Sequence, residues 1–364
     1  MKIHFIDLQA QYRRYHQEIG RAIQSVLDSS QYIQGNDVFE LERELVAYTG
    51  ASHCISCSSG TDALLLALMA LGIKPGDEVI TSPFTFIATA EMIALLGAKP
   101  VYVDIDEQTY NIDASLIALK ITPRTKAVIP ISIYGQPADM DEINALAARH
   151  GLSVIEDAAQ SFGAEYKGKK SCNLSTIACT SFFPSKPLGC YGDGGAVFAG
   201  EPGMAASIRS RMNHGQAERY KHRYVGINGR LDTIQAAVLR VKLKYFGQEI
   251  RERSIVAERY NRLLADTGLV TPTIRENRTS VFAQYSVRSV EREKLIAHLA
   301  GRGVPTAIHY PIPLYRQEAL RDSSFSPQSY PVTEAVTREI MSLPMSAFLT
   351  EEQQDYIVGV IREF

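Results

Sequence analysis

Long apolar runs, a cysteine framework and an excess of either charge are all missing from this sequence of 364 residues. The longest apolar run, residues 63–73, has about half the length that a membrane-spanning helix requires. The first residues lack the long apolar core of a secretory signal, and five cysteines are too few for a disulfide framework in a chain of this length. We therefore expect a protein of the reducing cytoplasm with no membrane partner.

The charge balance is nearly even, with 38 Lys and Arg residues against 40 Asp and Glu residues. A net charge of −2 gives no electrostatic reason to expect nucleic acid as a partner. Cys54 and Cys57 form a single C-x-x-C pair, and the second pair that a metal site usually needs is absent. The pair is either a redox or metal site or simply two small residues of a buried strand. We expect the second alternative, and no metal.

Short β-rich runs alternate with helical stretches through the first two-thirds of the chain. The predicted strands are 53–56, 78–81, 101–103, 127–132, 153–156, 177–182 and 195–198, and the predicted helices are 61–71, 87–96 and 140–150. This alternation predicts an α/β fold with a mostly parallel sheet that is covered by helices on both faces. Such sheets bind ligands at the carboxyl ends of their strands, where the polar motifs of this sequence lie.

The character of the sequence changes near Phe246, beyond which a charged helical stretch begins. A β-like run at 281–287, a helix-like run at 293–300 and a short predicted strand at 305–309 follow it. We predict a large domain over residues 1–246 and a smaller α+β domain over 247–364. The N-terminal segment is expected to pack on the smaller domain.

Lys186 lies in the segment Ser-Phe-Phe-Pro-Ser-Lys-Pro-Leu-Gly, among apolar or conformationally restricted residues and without a nearby acidic partner. Most lysines are solvated surface charges, which is the alternative interpretation here. Four glycines follow between residues 189 and 195, where backbone can approach a ligand closely. A lysine that is held in a partly desolvated loop has a lowered pKa and can form a Schiff base.

Two further polar motifs follow predicted strands. Asp157 ends one strand, and because an unpaired buried carboxylate is costly, it is either functional or the cap of a following helix. The segment Ser58-Ser-Gly-Thr-Asp62 joins a strand to a helix, and its amides and hydroxyls suit a phosphate, although similar turns cap helices that bind nothing. The sequence contains neither a P-loop nor a G-x-G-x-x-G motif after a strand.

The chain resembles, from end to end, the sugar aminotransferases of the DegT/DnrJ/EryC1/StrS family. The motifs that carry the resemblance are Gly60-Thr61-Asp62-Ala63-Leu64, Thr85-Phe86, Glu156-Asp157-Ala158-Ala159-Gln160, Ser181-Phe182 with Lys186, and Asn228-Gly229-Arg230-Leu231-Asp232 leading into Gln235-Ala236-Ala237. Residues 172–175, 183–191 and 309–313 are most similar to members that aminate a UDP-linked 3-keto uronate for lipopolysaccharide O-antigen and other surface polysaccharides.

The resemblance implies a pyridoxal 5'-phosphate enzyme of fold type I, a homodimer whose active sites are shared between the subunits. It implies that Lys186 bonds covalently to the cofactor and that Asp157 meets the pyridine nitrogen. The other implied contacts are Gln160 at the ring hydroxyl, Gly60, Thr61 and Ser181 at the phosphate, Phe86 on the ring face, and Asn228 at the phosphate of the partner subunit's cofactor. Many members carry a larger aromatic residue at the position of Phe86. Taken alone, an Asn followed by Gly is only a turn.

Arg230, His309 and Tyr310 are the candidates for binding the nucleotide-linked keto-sugar, with glutamate as the expected amino donor. Alternatively, Arg230 ties its loop to Asp232 or another carboxylate, and His309 is an ordinary loop residue between turns. The dehydratases of the family carry His where this chain has Lys186, which favours transamination. The residues also leave open the amination of a dTDP-linked keto-hexose, and a non-catalytic sugar-nucleotide sensor on the same fold.

Overall fold

A seven-stranded sheet forms the centre of the computed structural model, which describes residues 2–321 and 327–364. The strands in chain order are β1 (His53–Cys57), β2 (Glu78–Thr81), β3 (Lys99–Tyr102), β4 (Thr125–Ile129), β5 (Ser153–Asp157), β6 (Glu165–Tyr166), β7 (Lys169–Lys170), β8 (Ile177–Ser181), β9 (Gly195–Ala199), β10 (Gln216–Glu218), β11 (Lys221–His222), β12 (Tyr285–Arg288) and β13 (Ile340–Leu343). The sheet has the order β1-β9-β8-β5-β4-β2-β3, and β9 alone runs against the others. The predicted mostly parallel sheet is confirmed.

Helices pack on both faces of this sheet. The helices are α1 (Leu8–Ser29), α2 (Asn36–Thr49), α3 (Gly60–Ala70), α4 (Ala88–Leu95), α5 (Ala114–Ile117), α6 (Met140–Arg149), α7 (Pro202–Met212), α8 (Thr233–Leu264), α9 (Arg292–Gly301), α10 (Pro331–Glu339) and α11 (Glu351–Arg362). Apolar residues of α3, α4 and α7 form a core on one face, and residues of α2 and α8 form a core on the other. The central strands β2, β4, β5, β8 and β9 are therefore buried on both sides, which explains their largely apolar sequences.

The two cysteines of the C-x-x-C pair lie on opposite faces of the sheet. Both belong to β1, where side chains alternate between the faces, so that residues three apart point in opposite directions. Cys54 packs in the core beneath α2, and Cys57 packs in the core beneath α3. Both are buried free thiols, so they are small residues of a buried strand rather than a redox pair.

Most predicted elements lie within a few residues of the observed ones, but the predicted strand at 305–309 is wrong. In that segment only Ala307 forms a bridge, to Ser342 of β13. The pairing does not continue because the His309 carbonyl accepts a hydrogen bond from the Tyr134 hydroxyl instead of from a strand. The rings of His309 and Tyr310 lie near those of Phe5 and Phe86. No helix of the described residues is long and apolar enough to cross a membrane.

Helix α8 runs without a break through Phe246, the predicted domain boundary. Phe246 packs in the core between α8, α2 and the sheet. Later residues of the same helix, including Tyr260 and Leu264, pack in a separate core with β12, β13, α9 and α11. Ile3 joins that second core, and the Phe5 carbonyl accepts a hydrogen bond from the Met345 amide at 3.0 Å. The division at 246 stays a prediction.

A fully buried carboxyl group, that of Glu156, lies on β5 and faces away from Asp157. It accepts hydrogen bonds from the Ser171 hydroxyl at 2.5 Å and the Cys172 amide at 3.0 Å, and it makes no ion pair with a described residue. Burial raises the pKa of Glu156 to about 7, although these hydrogen bonds oppose the shift. The folded protein therefore holds this proton more tightly than the unfolded chain does.

We predict that Glu156→Gln reduces the loss of stability on going from pH 5 to pH 8. Because the folded-state pKa is raised, Glu156 costs stability as the pH rises from about 4.5 through about 7, by on the order of 3 kcal/mol. A glutamine fits the same contacts, accepting from the Cys172 amide and donating to the Ser171 hydroxyl. Thermal unfolding of the cofactor-free protein across this range measures the effect, with the exposed Glu142→Gln as control. Parallel curves for all three proteins would contradict the prediction.

Candidate active site

Asp157 lies at the carboxyl end of β5, in the middle of the sheet, and its side chain is buried. One carboxylate oxygen accepts a hydrogen bond from the Thr89 hydroxyl at 2.8 Å, and the other accepts one from the Ala159 amide at 3.2 Å. Burial raises the pKa of Asp157, while these two hydrogen bonds and the positive charge of Lys186 oppose the rise. The chain forms turns from residue 159 to 163, so no helix begins there for Asp157 to cap.

Lys186 lies in the loop between β8 and β9, where its backbone amide donates to the Phe183 carbonyl at 2.8 Å. Its partly buried amine has no hydrogen bond or ion pair with any residue in 2–321 or 327–364. Burial lowers the pKa of this amine, and the Asp157 carboxylate opposes the change. The surface-lysine alternative therefore does not hold. An unpaired amine with a lowered pKa is a nucleophile.

Two residues of α8 hold the far side of this loop. Gln235 accepts a hydrogen bond from the Tyr191 amide at 2.8 Å, and the Lys242 ammonium donates to the Gly189 carbonyl at 2.6 Å. Lys242 is buried beneath the Tyr191 ring, and burial lowers its pKa to about 8. Residues 235 and 242 are two helical turns apart and face the same side. The loop that carries Lys186 is thus fixed at its return turn.

A cradle for an anion forms where β1 passes into α3. Ser59 caps the helix by accepting from the Asp62 amide at 3.0 Å, so the first-turn amides of Gly60 and Thr61 begin a helix. The end of β8 approaches so closely that a Cβ atom on Gly60 would lie 2.6 Å from the Cβ atom of Ser181. Glycine at this position lets the Ser181 hydroxyl stand beside the positive end of the helix. Such an arrangement suits a phosphate.

Gln160, Tyr310 and Phe86 line the space in front of Asp157. The Gln160 side-chain oxygen accepts from the Tyr134 amide at 2.7 Å, and its amino group donates to the Tyr310 hydroxyl at 3.2 Å. That amino group has a second N–H, which can donate to a ligand. The Phe86 ring lies 6.2 Å from the Tyr310 ring and is 55% exposed, so its face is open to a planar group.

His309 is oriented by its neighbours. Its Nδ1 lies 3.1 Å from the Ser342 hydroxyl, and its backbone carbonyl accepts a hydrogen bond from the Tyr134 hydroxyl. Burial and the positive charge of Lys186 lower the pKa of His309. The imidazole is therefore neutral at neutral pH and stands in the electrostatic field of Lys186.

The segment with Asn228 and Arg230 lies against the start of the cradle. The Gly229 carbonyl accepts from the Ser58 amide at 2.9 Å, and the Asn228 side chain is exposed. Arg230 donates to the Asn213 side-chain oxygen at 2.7 Å. Its buried Nε has no hydrogen-bond partner among the described residues, and no carboxylate there pairs with it. The alternative interpretation, a tie from Arg230 to Asp232 or another carboxylate, is therefore not seen among the described residues.

The structure thus brings Lys186, Asp157, Gln160, His309 and Tyr310 together around one space. Sequence reasoning missed several residues that support them, namely Thr89, Tyr134, Lys242 and Ser342. A buried hydroxyl in the mostly apolar α4, which also contains Glu91, was the one signal for Thr89. The others were visible only as ordinary polar residues.

This set of residues fits pyridoxal phosphate. The helix cradle with Ser181 suits the phosphate, the buried Asp157 suits a ring nitrogen that must stay protonated, and the unpaired amine of Lys186 suits an aldehyde. In particular, the close approach that only glycine allows at position 60 leaves the helix amides open to an anion.

Known proteins resemble this chain over its whole length. The chain is 57% identical to the UDP-2-acetamido-2-deoxy-3-oxo-D-glucuronate aminotransferase of Pseudomonas aeruginosa, over 95% of this chain and 96% of that protein. It is 44% identical to a pleiotropic regulatory protein of Geobacillus stearothermophilus, over 100% and 99% of the two chains.

Solved structures show the same fold. DesV of S. venezuelae, solved with a ketimine intermediate, has a TM-score of 0.97 at 40% identity and covers 100% of this chain and 98% of its own. NtdA of Bacillus subtilis, solved with bound cofactor PMP, has a TM-score of 0.92 at 28% identity over 100% and 85% of the two chains. The expected fold type and the pyridoxal cofactor are therefore confirmed.

The family model for these proteins matches residues 14–362, so nearly every element of the fold and all the site residues fall within it. The chain belongs to the DegT/DnrJ/EryC1/StrS aminotransferase family.

Proposed function

We propose that this aminotransferase transfers the amino group of glutamate to a UDP-linked 3-keto uronate, UDP-2-acetamido-2-deoxy-3-oxo-glucuronate, and so supplies an amino sugar for surface polysaccharide. The observation that carries the proposal is the placement of the unpaired Lys186 amine near enough to the buried Asp157 carboxylate for the charge of each to affect the pKa of the other. The name of the 57% identical relative supports the choice of sugar. All five cysteines are free thiols, which supports the reducing cytoplasm as the place of the reaction.

Pyridoxal phosphate, when bound, supplies an aldehyde for amines and a ring that withdraws electrons from the neighbouring carbon. The rest of the work falls to the protein. Gly60, Thr61 and Ser181 hold the phosphate, Phe86 covers one ring face, and Gln160 donates to the ring hydroxyl. Asp157 keeps the ring nitrogen protonated because its carboxylate is negative and has no other cation to pair with.

Lys186 has two roles in this proposal, covalent anchor and proton carrier. Because burial lowers the pKa of Lys186, its unprotonated amine forms more readily than that of a surface lysine, and an unprotonated amine can take the proton from the reacting carbon of glutamate. The resulting ammonium can then act as the general acid in the next proton transfer of the reaction. An arginine could not lose the proton, and a neutral residue could not carry it.

Two competing functions fit less well. The dehydratases of the family carry His at the position of Lys186, and a histidine could not anchor the cofactor covalently. The other is a non-catalytic sugar-nucleotide sensor, and the Geobacillus relative is named a pleiotropic regulatory protein. A binding protein, however, has no need of an unpaired buried lysine, because the desolvation of its amine destabilises the fold and would serve no function there. Amination of a dTDP-linked keto-hexose remains the second candidate for the substrate.

Arg230 is proposed to bind the carboxylate of the uronate. Its Nε is buried without a partner among the described residues, while Nη1 is held by Asn213. A guanidinium anchored through one nitrogen can present its others to a carboxylate in two parallel hydrogen bonds. His309 and Tyr310 are also proposed to contact the sugar nucleotide, and His309 is the second choice for the carboxylate.

We also propose a homodimer in which Asn228 contacts the phosphate of the partner subunit's cofactor. The exposure of Asn228 beside Ser58 supports the idea that this segment meets another chain. The same position also lies close to the cradle of its own chain. Whether Asn228 acts within its own site or across the dimer is therefore the question for experiment.

Reduction with borohydride should fix pyridoxal phosphate to Lys186. Peptide mapping by mass spectrometry should find the added group on the peptide with Lys186 and not on Lys242, the other buried lysine with a lowered pKa. Lys186→Ala should carry no label and should not convert the UDP-linked 3-keto uronate in the presence of glutamate. Labelling of Lys242, or turnover by Lys186→Ala, would refute the assignment. Wild-type protein that takes the label but aminates no keto-sugar would support the regulator.

A mixed dimer distinguishes the two positions of Asn228. Lys186→Ala and Asn228→Asp are each expected to be nearly inactive, the second because a carboxylate would face the phosphate. If Asn228 serves the partner, one site of the mixed dimer has both defects and the other has none. Equal mixing should then restore about a quarter of wild-type activity, since about half of the dimers are mixed and each has one intact site. No recovery, with subunit exchange verified by two affinity tags, would place Asn228 in its own site.

Arg230→Ala is expected to lower kcat/KM for the uronate by about 2 to 4 kcal/mol, the usual cost of removing one partner of a buried charge pair. Arg230→Lys should recover only part of this loss because lysine cannot form two parallel hydrogen bonds. A keto-sugar with a neutral hydroxymethyl group in place of the carboxylate serves as the internal control and should lose far less. Equal losses on both substrates would mean that Arg230 supports the Asn213 loop rather than the sugar.

A further inference from the structure

We propose that Thr89 is a positioning residue for the reaction, because its hydroxyl keeps the Asp157 carboxylate ionised and aimed at the ring nitrogen of the cofactor. The inference rests on the proposed role of Asp157 and adds a residue that acts on the cofactor only through that carboxylate.

Thr89 is built into the site by the first turn of α4. The turn follows Phe86, the residue proposed to cover the ring, so one short segment supplies both contacts. The Thr89 side chain is 1% exposed, and its hydroxyl donates to Asp157 Oδ2 at 2.8 Å. Ala159 contributes the second hydrogen bond, from its backbone amide to Oδ1 at 3.2 Å. Thr89 is the one side chain among the described residues that hydrogen-bonds this carboxylate.

The charges around Asp157 explain why a hydroxyl matters. Within the described residues Asp157 has no ion pair, and burial favours its protonated form. The titratable groups that act on it are Lys186, Glu156, Cys172, Cys179 and Tyr310, of which Lys186 alone can be positive. Lys186 changes its charge whenever it takes up or gives back a proton. A donor that does not titrate is therefore needed to hold Asp157 ionised through the whole cycle.

A protonated Asp157 would lose the negative charge that keeps the ring nitrogen protonated. The ring would then withdraw electrons less strongly from the reacting carbon. A hydrogen bond to a buried charged group has a substantial net effect, and we expect its loss to reduce kcat about tenfold, equivalent to about 1.4 kcal/mol. The alternative is that Thr89 is an ordinary core residue, and that its hydrogen bond to Asp157 only gives a buried hydroxyl a partner.

The variants are chosen to separate these two roles. Thr89→Val keeps the shape of the side chain and removes the hydroxyl, whereas Thr89→Ser keeps the hydroxyl and removes the methyl group. Thr89→Cys and Thr89→Ser form a second pair of similar size, in case valine disturbs folding, since a thiol is a weak donor. Thr81→Val is the matched control, because Thr81 is equally buried and its hydroxyl donates to a backbone carbonyl, that of Ile129, at 2.9 Å.

The direct measurement is the ¹⁵N NMR chemical shift of ring-labelled pyridoxal phosphate in the reconstituted proteins, which reports whether the ring nitrogen is protonated. We expect a protonated nitrogen in wild type, Thr89→Ser and Thr81→Val. Thr89→Val and Thr89→Cys should shift toward the unprotonated form, in the direction of Asp157→Asn, with about a tenfold lower kcat for glutamate turnover. Thr89→Ser should recover most of that activity.

A wild-type shift in Thr89→Val, or equal shifts in Thr89→Ser and Thr89→Val, would overturn the role of Thr89 while leaving that of Asp157 intact. An unprotonated ring nitrogen in the wild type would count against Asp157 itself, and the inference would fall with it. A lower melting temperature without a change in the ¹⁵N shift would identify Thr89 as an ordinary core residue.

Discussion

The rest of the site depends on the burial of one carboxylate and one amine at the ends of two neighbouring strands. Asp157 on β5 and Lys186 after β8 are both withdrawn from water, and the charge of each opposes the shift that burial causes in the other. Neither forms a direct ion pair within the described residues. The protein therefore keeps a carboxylate and an amine available to a ligand at the cost of leaving them incompletely compensated.

Helix α8 connects the loop that carries Lys186 with the C-terminal core and with the Asn228 segment. Its first half fixes the return turn of the Lys186 loop through Gln235 and Lys242. Its second half lies in the core of β12, β13, α9 and α11, and the Asn228 segment ends where the helix begins. One unbroken helix of 32 residues thus contacts the loop that carries Lys186, the C-terminal core and the segment that carries Arg230.

Tyr134 joins the two sides of the site. Its amide donates to Gln160 beside Asp157, and its hydroxyl donates to the carbonyl of His309, which arrives from the C-terminal part of the chain. Tyr310 completes the connection through its hydroxyl, which accepts from Gln160. Hydrogen bonds therefore connect the substrate candidates His309 and Tyr310 to the cofactor candidate Gln160. A displacement of one of these residues would displace the others.

The sequence by itself predicted the mostly parallel sheet and the family, and it singled out Lys186 as the candidate for the reacting lysine. Apolar runs alternating with helical periodicity require a parallel sheet, and the motifs around Gly60, Asp157 and Lys186 follow its strands closely enough to be assigned. Only the tertiary structure decided that no helix follows Asp157, that Pro305 to His309 pairs at one residue, and that Arg230 bonds to Asn213 rather than to Asp232. It also revealed Thr89, Tyr134, Lys242 and Ser342 as supports of the site. These contacts join residues that are far apart in the chain. A polar side chain has several possible partners, and the packing of the folded protein decides which of them it meets. Local sequence patterns do not contain that information.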